Sequence, residues 1–243
     1  MQQLPHGDVV GSLLRPIELI NARHDLSTGA LSQIAFTEIE DRAVEQSIAL
    51  QHDVGLEIIT DGEMRRLSFQ SQVPEAIEGF GDYDINAFLW GDWYGDQQIG
   101  DVSVHRPHEI GVIGKLRRKR YMSTAEFIYL RDRTNCVPKV TLPSPSLFAN
   151  FWTKSKSSDA YPTIEDFLSE VASLLHEEVA MLARLGATYI QLDAPHYPLV
   201  LDPKWADFYN SLGWSAENWL THSVELDNTV INGFPDVTFA LHL

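Results

Sequence analysis

Short β-branched runs alternate along this chain with longer stretches in which apolar residues return every three or four positions. Six runs read as strands: Asp8 to Ser12, Leu56 to Thr60, Ile110 to Ile113, Pro138 to Leu142, Ala187 to Leu192 and Val237 to Leu243. Helical spacing fills much of the interval between them. From Leu31 to Val54, the residues Ile34, Ile39, Ala43, Ile48 and Leu50 recur loosely among acids, and Gly55 is placed to end a helix. Ser123 to Arg133 predicts a short helix. The clearest pattern follows Thr163, an N-cap with Glu165 and Asp166 in its first turn. Phe167, Val171, Leu174, Leu175, Val179 and Leu182 then share one face, and Gly186 terminates the helix. A further helix runs from the cap Ser215 to about Val230.

Such alternation predicts a parallel sheet whose strands all present their carboxyl ends on one face. In a (β/α)8 TIM barrel that face collects the catalytic residues, and such barrels typically take about 250 residues. The six units predict three quarters of a barrel within one domain spanning 1–243, interrupted by an irregular insertion around 81–109. Tyr83, Phe88, Trp90, Trp93 and Tyr94 cluster in that insertion, and His105 and His108 sit there without a spacing that implies ligand geometry. Ser155 to Asp159 reads as a polar loop. The polar residues just beyond the predicted strand ends are Ser12, Asp61, Glu63, Ser144, Asp193 and His242. The last run stops where a barrel strand hands over to its functional loop, which predicts a truncated barrel.

Charge narrows the partners. A formal net charge of −16 argues against a nucleic-acid footprint and against docking on anionic membrane, and favours small neutral or cationic ligands or metals. Cys136 is the single cysteine, so no internal disulfide framework is expected. It precedes the fourth strand, at the end away from the predicted catalytic face, and reads as a structural thiol. The N-terminus has no basic region followed by an apolar one, and no apolar run approaches the roughly 18 residues of a membrane span. A cytoplasmic protein is the expectation.

Four motifs occur in strand order: Val10-Gly11-Ser12-Leu13-Leu14-Arg15-Pro16, Thr60-Asp61-Gly62-Glu63-Met64-Arg65-Arg66, Ile190-Gln191-Leu192-Asp193-Ala194-Pro195 and Leu241-His242-Leu243. Together they resemble the cobalamin-independent methionine synthase family, a barrel of the methionine synthase/uroporphyrinogen decarboxylase type, and within it the short single-barrel members. The resemblance implies a zinc-dependent thiol S-methyltransferase acting on homocysteine or a similar thiol, with a methyltetrahydrofolate polyglutamate as donor. Zinc coordination keeps a sulfur as thiolate at neutral pH. His242 matches the first zinc ligand of the family. The cysteine that would follow Leu243, and the later glutamate and cysteine ligands, are not in this sequence, and one imidazole alone does not hold zinc.

The resemblance further implies an amino-acid clamp: Ser12 and its backbone for the substrate carboxylate, and Glu63 and Asp193 for its ammonium group. The bland alternative is that Asp61, Glu63 and Asp193 cap loops or pair with Arg15, Arg65 or Arg66. Phe151 stands where the family carries a folate-stacking tryptophan, with Trp152 adjacent; either ring suits a pterin, and either suits a core. Ala194 departs from the acidic residue of the long synthases. His196 reads as a hydrogen-bonded or surface residue sooner than as a base, and Lys115, Arg117, Arg118, Lys119 and Arg120 as a solvated run sooner than as an anion site. Two alternatives stand beside methyl transfer. One is alkyl transfer to another small thiol, as in epoxide opening. The other is a non-catalytic truncated barrel that binds a small amino acid, whose open strand edges predict pairing into a homo-oligomer.

Overall fold

The computed structural model describes residues 7–67, 71–81, 97–99, 102–104, 111–211 and 213–243. After an extended segment, α1 (Ile17–Ser27) and α2 (Gln33–Asp53) precede β1 (Ile58–Ile59). Then come α3 (Gln72–Ala76), β2 (Ile77–Gly81), β3 (Gln97–Ile99), β4 (Val102–Val104) and β5 (Gly111–Arg118). The remainder is α4 (Thr124–Arg131), β6 (Val137–Pro143), α5 (Lys154–Ser157), α6 (Ile164–Arg184), β7 (Tyr189–Asp193), α7 (Pro203–Ser211), α8 (Ala216–Ile231) and β8 (Thr238–His242).

β1, β6, β7 and β8 form one parallel sheet in that order. Its register places Pro143 beside Asp193 and Asp193 beside His242, so strand ends distant in sequence meet on one rim. The crossovers β6–α6–β7 and β7–α8–β8 are the β/α repeats anticipated from the sequence. The capping chemistry explains their bounds: Thr163 Oγ1 accepts from the Asp166 amide at 3.1 Å, Ser215 Oγ from the Asn218 amide at 3.2 Å, and Ser32 Oγ from the Ala35 amide at 3.3 Å. Gly55 ends α2 with φ of +79°, a left-handed conformation that costs glycine little.

The larger core lies between sheet and helices. Phe167, Val171, Leu175, Val179 and Leu182 of α6 meet Val140, Leu142, Ile190 and Leu192 of the sheet, with Trp219, Leu226 and Val230 from α8. Each such side chain contributes on the order of 1.5–3 kcal/mol by leaving water. A second cluster gathers Leu19, Phe36, Ala43, Val44, Ile48, Ile59 and Met64 around α1 and α2.

Several expectations are corrected. Four of the six predicted strands pair in the parallel sheet. The segment 8–12 makes no ladder: the Val10 carbonyl instead accepts from the Gln191 side chain at 2.7 Å, and Asp8 takes the Lys139 ammonium at 2.8 Å. The run predicted as Ile110 to Ile113 belongs to β5, which pairs antiparallel with β2 in a separate two-stranded sheet; Ile110 itself lies outside the described residues. That pair bulges between Glu78 and Phe80, where Gly79 has φ of +108° and any Cβ would stand 2.8 Å from the Lys115 carbonyl oxygen. Ser155 to Ser157 are helical in α5, and buried Ser157 donates to the Val112 carbonyl at 2.7 Å. The aromatic cluster Tyr83 to Tyr94, with His105 and His108, lies outside the described residues. Among the described residues no helix is long and apolar enough to cross a membrane.

Candidate functional site

The turn after β1 builds one side of the rim. Buried Gln51 of α2 clamps Thr60 at both backbone groups, accepting from its N–H at 2.9 Å and donating to its carbonyl at 2.8 Å. Thr60 Oγ1 then accepts from the Gly62 amide and Asp61 Oδ1 from the Glu63 amide, at 3.1 and 2.9 Å. These two side-chain turns hold Gly62 at φ of +71° and Glu63 at +56°, the one non-glycine positive φ among the described residues. A left-handed non-glycine residue is uncommon and stores of order 1–3 kcal/mol, which the surrounding bonds must offset. Leu13 N–H donates to the Gly62 carbonyl at 3.1 Å, bringing the Ser12 segment against the turn.

Glu63 is 2% exposed and is held from three sides. Exposed Ser12 donates its hydroxyl to Oε2 at 2.5 Å, Thr141 of β6 donates to Oε1 at 2.7 Å, and Arg66 reaches Oε1 at 3.3 Å. Arg66 is itself buried, and it also bonds the Glu126 carboxylate at 2.8 Å and the Thr141 hydroxyl at 2.9 Å. Burial works against its charge, but Glu126 and Glu63 outweigh that and hold the guanidinium pKa above its ordinary value. Asp61 fares differently. Burial, then the Glu126 charge, push its pKa up to about 6, and its Oδ2 is buried without a hydrogen-bond partner among the described residues. Pairing with Arg66, the bland alternative for Glu63, is thus real, while Oε2 with a single donor retains acceptor capacity.

On the neighbouring strands, Asp193 Oδ1 accepts from Gln191 Nε2 at 2.6 Å and meets His242 Nδ1 at 3.0 Å. Burial raises the Asp193 pKa; the bonds from Gln191 and His242 pull it down, and the charge of Glu63 pushes it up again, so the two carboxylates sense one another. Beneath them, Lys139 is buried with its ammonium 2.8 Å from both Asp8 Oδ2 and Gln191 Oε1. Ser12, Glu63, Asp193 and His242 therefore share one rim.

A second buried polar group lies behind the same rim. Ser144 donates to Asp227 Oδ1 at 2.7 Å, Tyr197 donates to Asp227 Oδ2, and Ser146 sits 2.7 Å from His196 Nε2. Burial holds His196 neutral with a pKa lowered to about 3, and burial raises that of Asp227. The sequence pointed to Ser144 and His196 singly; Asp227, facing inward from an otherwise amphipathic helix, carried no separate signal.

Other expected site residues fall elsewhere. Phe151 and Trp152 are 2% and 8% exposed: Phe151 stands edge-to-face with Phe80 and Phe148, and Trp152 donates to the Tyr161 carbonyl at 3.0 Å. Rings so enclosed pack the core, and stacking on a pterin would require them to move. The basic run is largely exposed and in part paired. Arg118 meets Glu178 at 2.9 Å, Arg120 meets Glu75 at 2.9 Å, and Lys115 lies 4.0 Å over the Tyr161 ring. Cys136 directs its thiol at the Leu56 carbonyl, 3.4 Å away, as a structural residue does. Among the described residues no group of three or more His, Cys, Asp or Glu side chains could hold a metal ion. His242 stands with Asp193 only, so the residues present do not make a zinc site.

No family model matches the chain. It is 28% identical over 190 residues to a methionine synthase of Pyrococcus abyssi, covering 77% of this chain and 51% of that protein. It is 26% identical over 208 residues to a 5-methyltetrahydropteroyltriglutamate--homocysteine methyltransferase of Thermosynechococcus vestitus, covering 86% of this chain and 26% of that one. A B12-independent methionine synthase from Shewanella sp., solved in complex with selenomethionine, superposes with a TM-score of 0.64 at 20% identity, over 97% of this chain and 60% of that structure. The chain spans about half the length of the Pyrococcus relative. The fold is that of the B12-independent methionine synthases, a TIM-barrel type of which this chain carries a part, and the resemblance read from the four motifs is borne out.

Proposed function

We propose that this rim is the amino-acid-binding half of a thiol S-methyltransferase of the methionine-synthase type, acting on homocysteine or a closely similar thiol. The observation that carries the reading is the convergence of Ser12 from the extended N-terminal segment, Glu63 from the turn after β1 and Asp193 from the end of β7 at the carboxyl rim of the parallel sheet. Ser12, exposed at the rim, would receive the substrate carboxylate with its backbone and with its hydroxyl, which would turn away from Glu63 Oε2 and free that oxygen for the ammonium group. Glu63 and Asp193 would bind the ammonium group through Oε2 and Oδ2, the oxygens that carry the fewest internal bonds. Burial first, and the charge of Glu63 after it, raise the Asp193 pKa, and a cation held between the two buried carboxylates offsets both. The selenomethionine bound by the Shewanella relative is an amino acid of the size and charge this clamp suits.

The donor on this reading is a methyltetrahydropteroyl polyglutamate, as the name of the Thermosynechococcus relative suggests. Phe151 or Trp152 would serve it only after leaving the core. Zinc enters through His242 alone, and because that residue makes no site by itself, no step is assigned to the metal. The residues of 1–243 are read as one barrel domain with an insertion around 81–109, working in the cytoplasm.

Calorimetric titration with L-methionine and L-homocysteine tests the clamp. Asp193→Asn is expected to weaken both by on the order of 2 kcal/mol, since one partner of a partly buried charge pair is lost. Unchanged affinity removes Asp193 from the clamp.

A further inference from the structure

Gln191 occupies the centre of the polar floor under the rim, and the bonds around it leave its amide one orientation. Lys139 has only donors to offer, so the group facing it at 2.8 Å must be Oε1. Nε2 then points the other way, and it donates both to the Val10 carbonyl at 2.7 Å and to Asp193 Oδ1 at 2.6 Å. One side chain thus joins the Ser12 segment, which has no strand ladder of its own, to the carboxylate at the end of β7. Lys139 extends the tie by holding Asp8 of the same segment at 2.8 Å. Because Gln191 and His242 both engage Oδ1, rotation of the Asp193 carboxylate is arrested and Oδ2 is the oxygen without a hydrogen bond among the described residues.

We infer that Gln191, turned by Lys139, is the positioning residue that sets Asp193 and the Ser12 segment at their working separation and turns Asp193 Oδ2 toward the ligand. This rests on the amino-acid clamp. It does not follow from burial alone: an apolar residue of equal volume would pack here but would supply neither donor, and the Val10 carbonyl and Asp193 would lose the group that links them.

Two variants test it. Gln191→Met keeps the volume and removes both donors; Gln191→Glu keeps the volume and an acceptor for Lys139 but cannot donate as a carboxylate. L-Methionine affinity is measured by calorimetry, the Asp193 carboxyl is followed by carbon NMR against pH, and folding is checked by thermal unfolding. The expected result is a roughly tenfold or greater loss of methionine affinity in both folded variants, with the Asp193 titration displaced to higher pH in Gln191→Met because a donor to its charged form is gone, and further in Gln191→Glu because a like charge stands beside it. Retained affinity with an unmoved Asp193 titration in either folded variant overturns the inference. Asp193→Asn serves as the control for the clamp. If that substitution leaves methionine affinity unchanged while the Gln191 variants displace the Asp193 titration, the clamp has failed and the link between Gln191 and Asp193 stands. If Asp193→Asn weakens binding and the Gln191 variants do not, the clamp stands and the positioning role falls.

Discussion

Glu63 and Asp193 face the same opening but are held there by opposite means. Asp193 ends a regular strand, and its place follows from the β6–β7–β8 register, with Gln191 and His242 alone among the described residues hydrogen-bonding its carboxylate. Glu63 sits on a left-handed turn outside any ladder and is fixed by Ser12, Thr141 and Arg66, with Arg66 in turn balanced by Glu126. One position is maintained by backbone periodicity, the other by a buried charge network. The difference teaches where each is vulnerable: changes in charge should disturb the Glu63 side and leave the Asp193 side in register.

The sharpest break comes from Arg66→Met. It leaves the Glu63 and Glu126 carboxylates without their shared cation, and removing one partner from such a buried set costs about 3–5 kcal/mol. Urea unfolding should record a loss of that size, whereas Asp193→Asn, which keeps the same shape at a strand end, should cost less than about 1 kcal/mol of stability. Equal losses for the two variants would mean that the two sides are not held differently.

Asp61 gives a pH handle on the same network. Its folded pKa lies near 6 against an ordinary 3.8, raised by burial first and by Glu126 next. A raised carboxyl pKa means that the folded state binds the proton more tightly than the unfolded one. The associated stability is complete below about pH 4 and is lost as pH rises through 6, amounting to roughly 3 kcal/mol at full strength. Asn at this position keeps the acceptor for the Glu63 amide but cannot ionise. Asp61→Asn should therefore gain on the parent protein between pH 4 and pH 7.5, and a constant difference across that range in thermal unfolding would refute the assignment.

These contrasts also explain what was legible beforehand. The β6–α6–β7 unit announced itself because the apolar face, the Thr163 cap and the Gly186 stop all agree locally. α1 did not: it buries only Leu19 and Ala22, so Ile17 to Ser27 shows no helical stripe, and its helix depends on packing against α2. The segment 8–12 looks like a strand by composition, yet the Val10 carbonyl is claimed by Gln191, a residue far away in sequence. β5 carries Lys115, Arg117 and Arg118, and no local pattern says that its partner is β2 or that Arg118 will find Glu178. At the site, Ser12, Glu63 and Asp193 were visible through their motifs. Gln191 stood in the third motif without a role, and Lys139, Thr141 and Glu126 in none, because buried polar residues look like surface residues until their partners arrive from other elements.

The smallest effect isolates the register. Thr163 caps α6 through its bond to the Asp166 amide, and α6 packs its apolar face on the sheet that carries Asp193. Thr163→Ala should cost about 1 kcal/mol of global stability, the usual value of a lost N-cap. It should leave the Asp193 titration and L-methionine affinity as they were, since the capped end contributes no bond to the β6–β7 ladder and folded molecules retain the register. The comparison with Arg66→Met is then direct: a stability loss unaccompanied by any change at Asp193 marks a side held by the sheet. A shifted Asp193 titration in Thr163→Ala would instead mean that the helix end, and not the ladder with the Gln191 side chain it carries, sets the carboxylate.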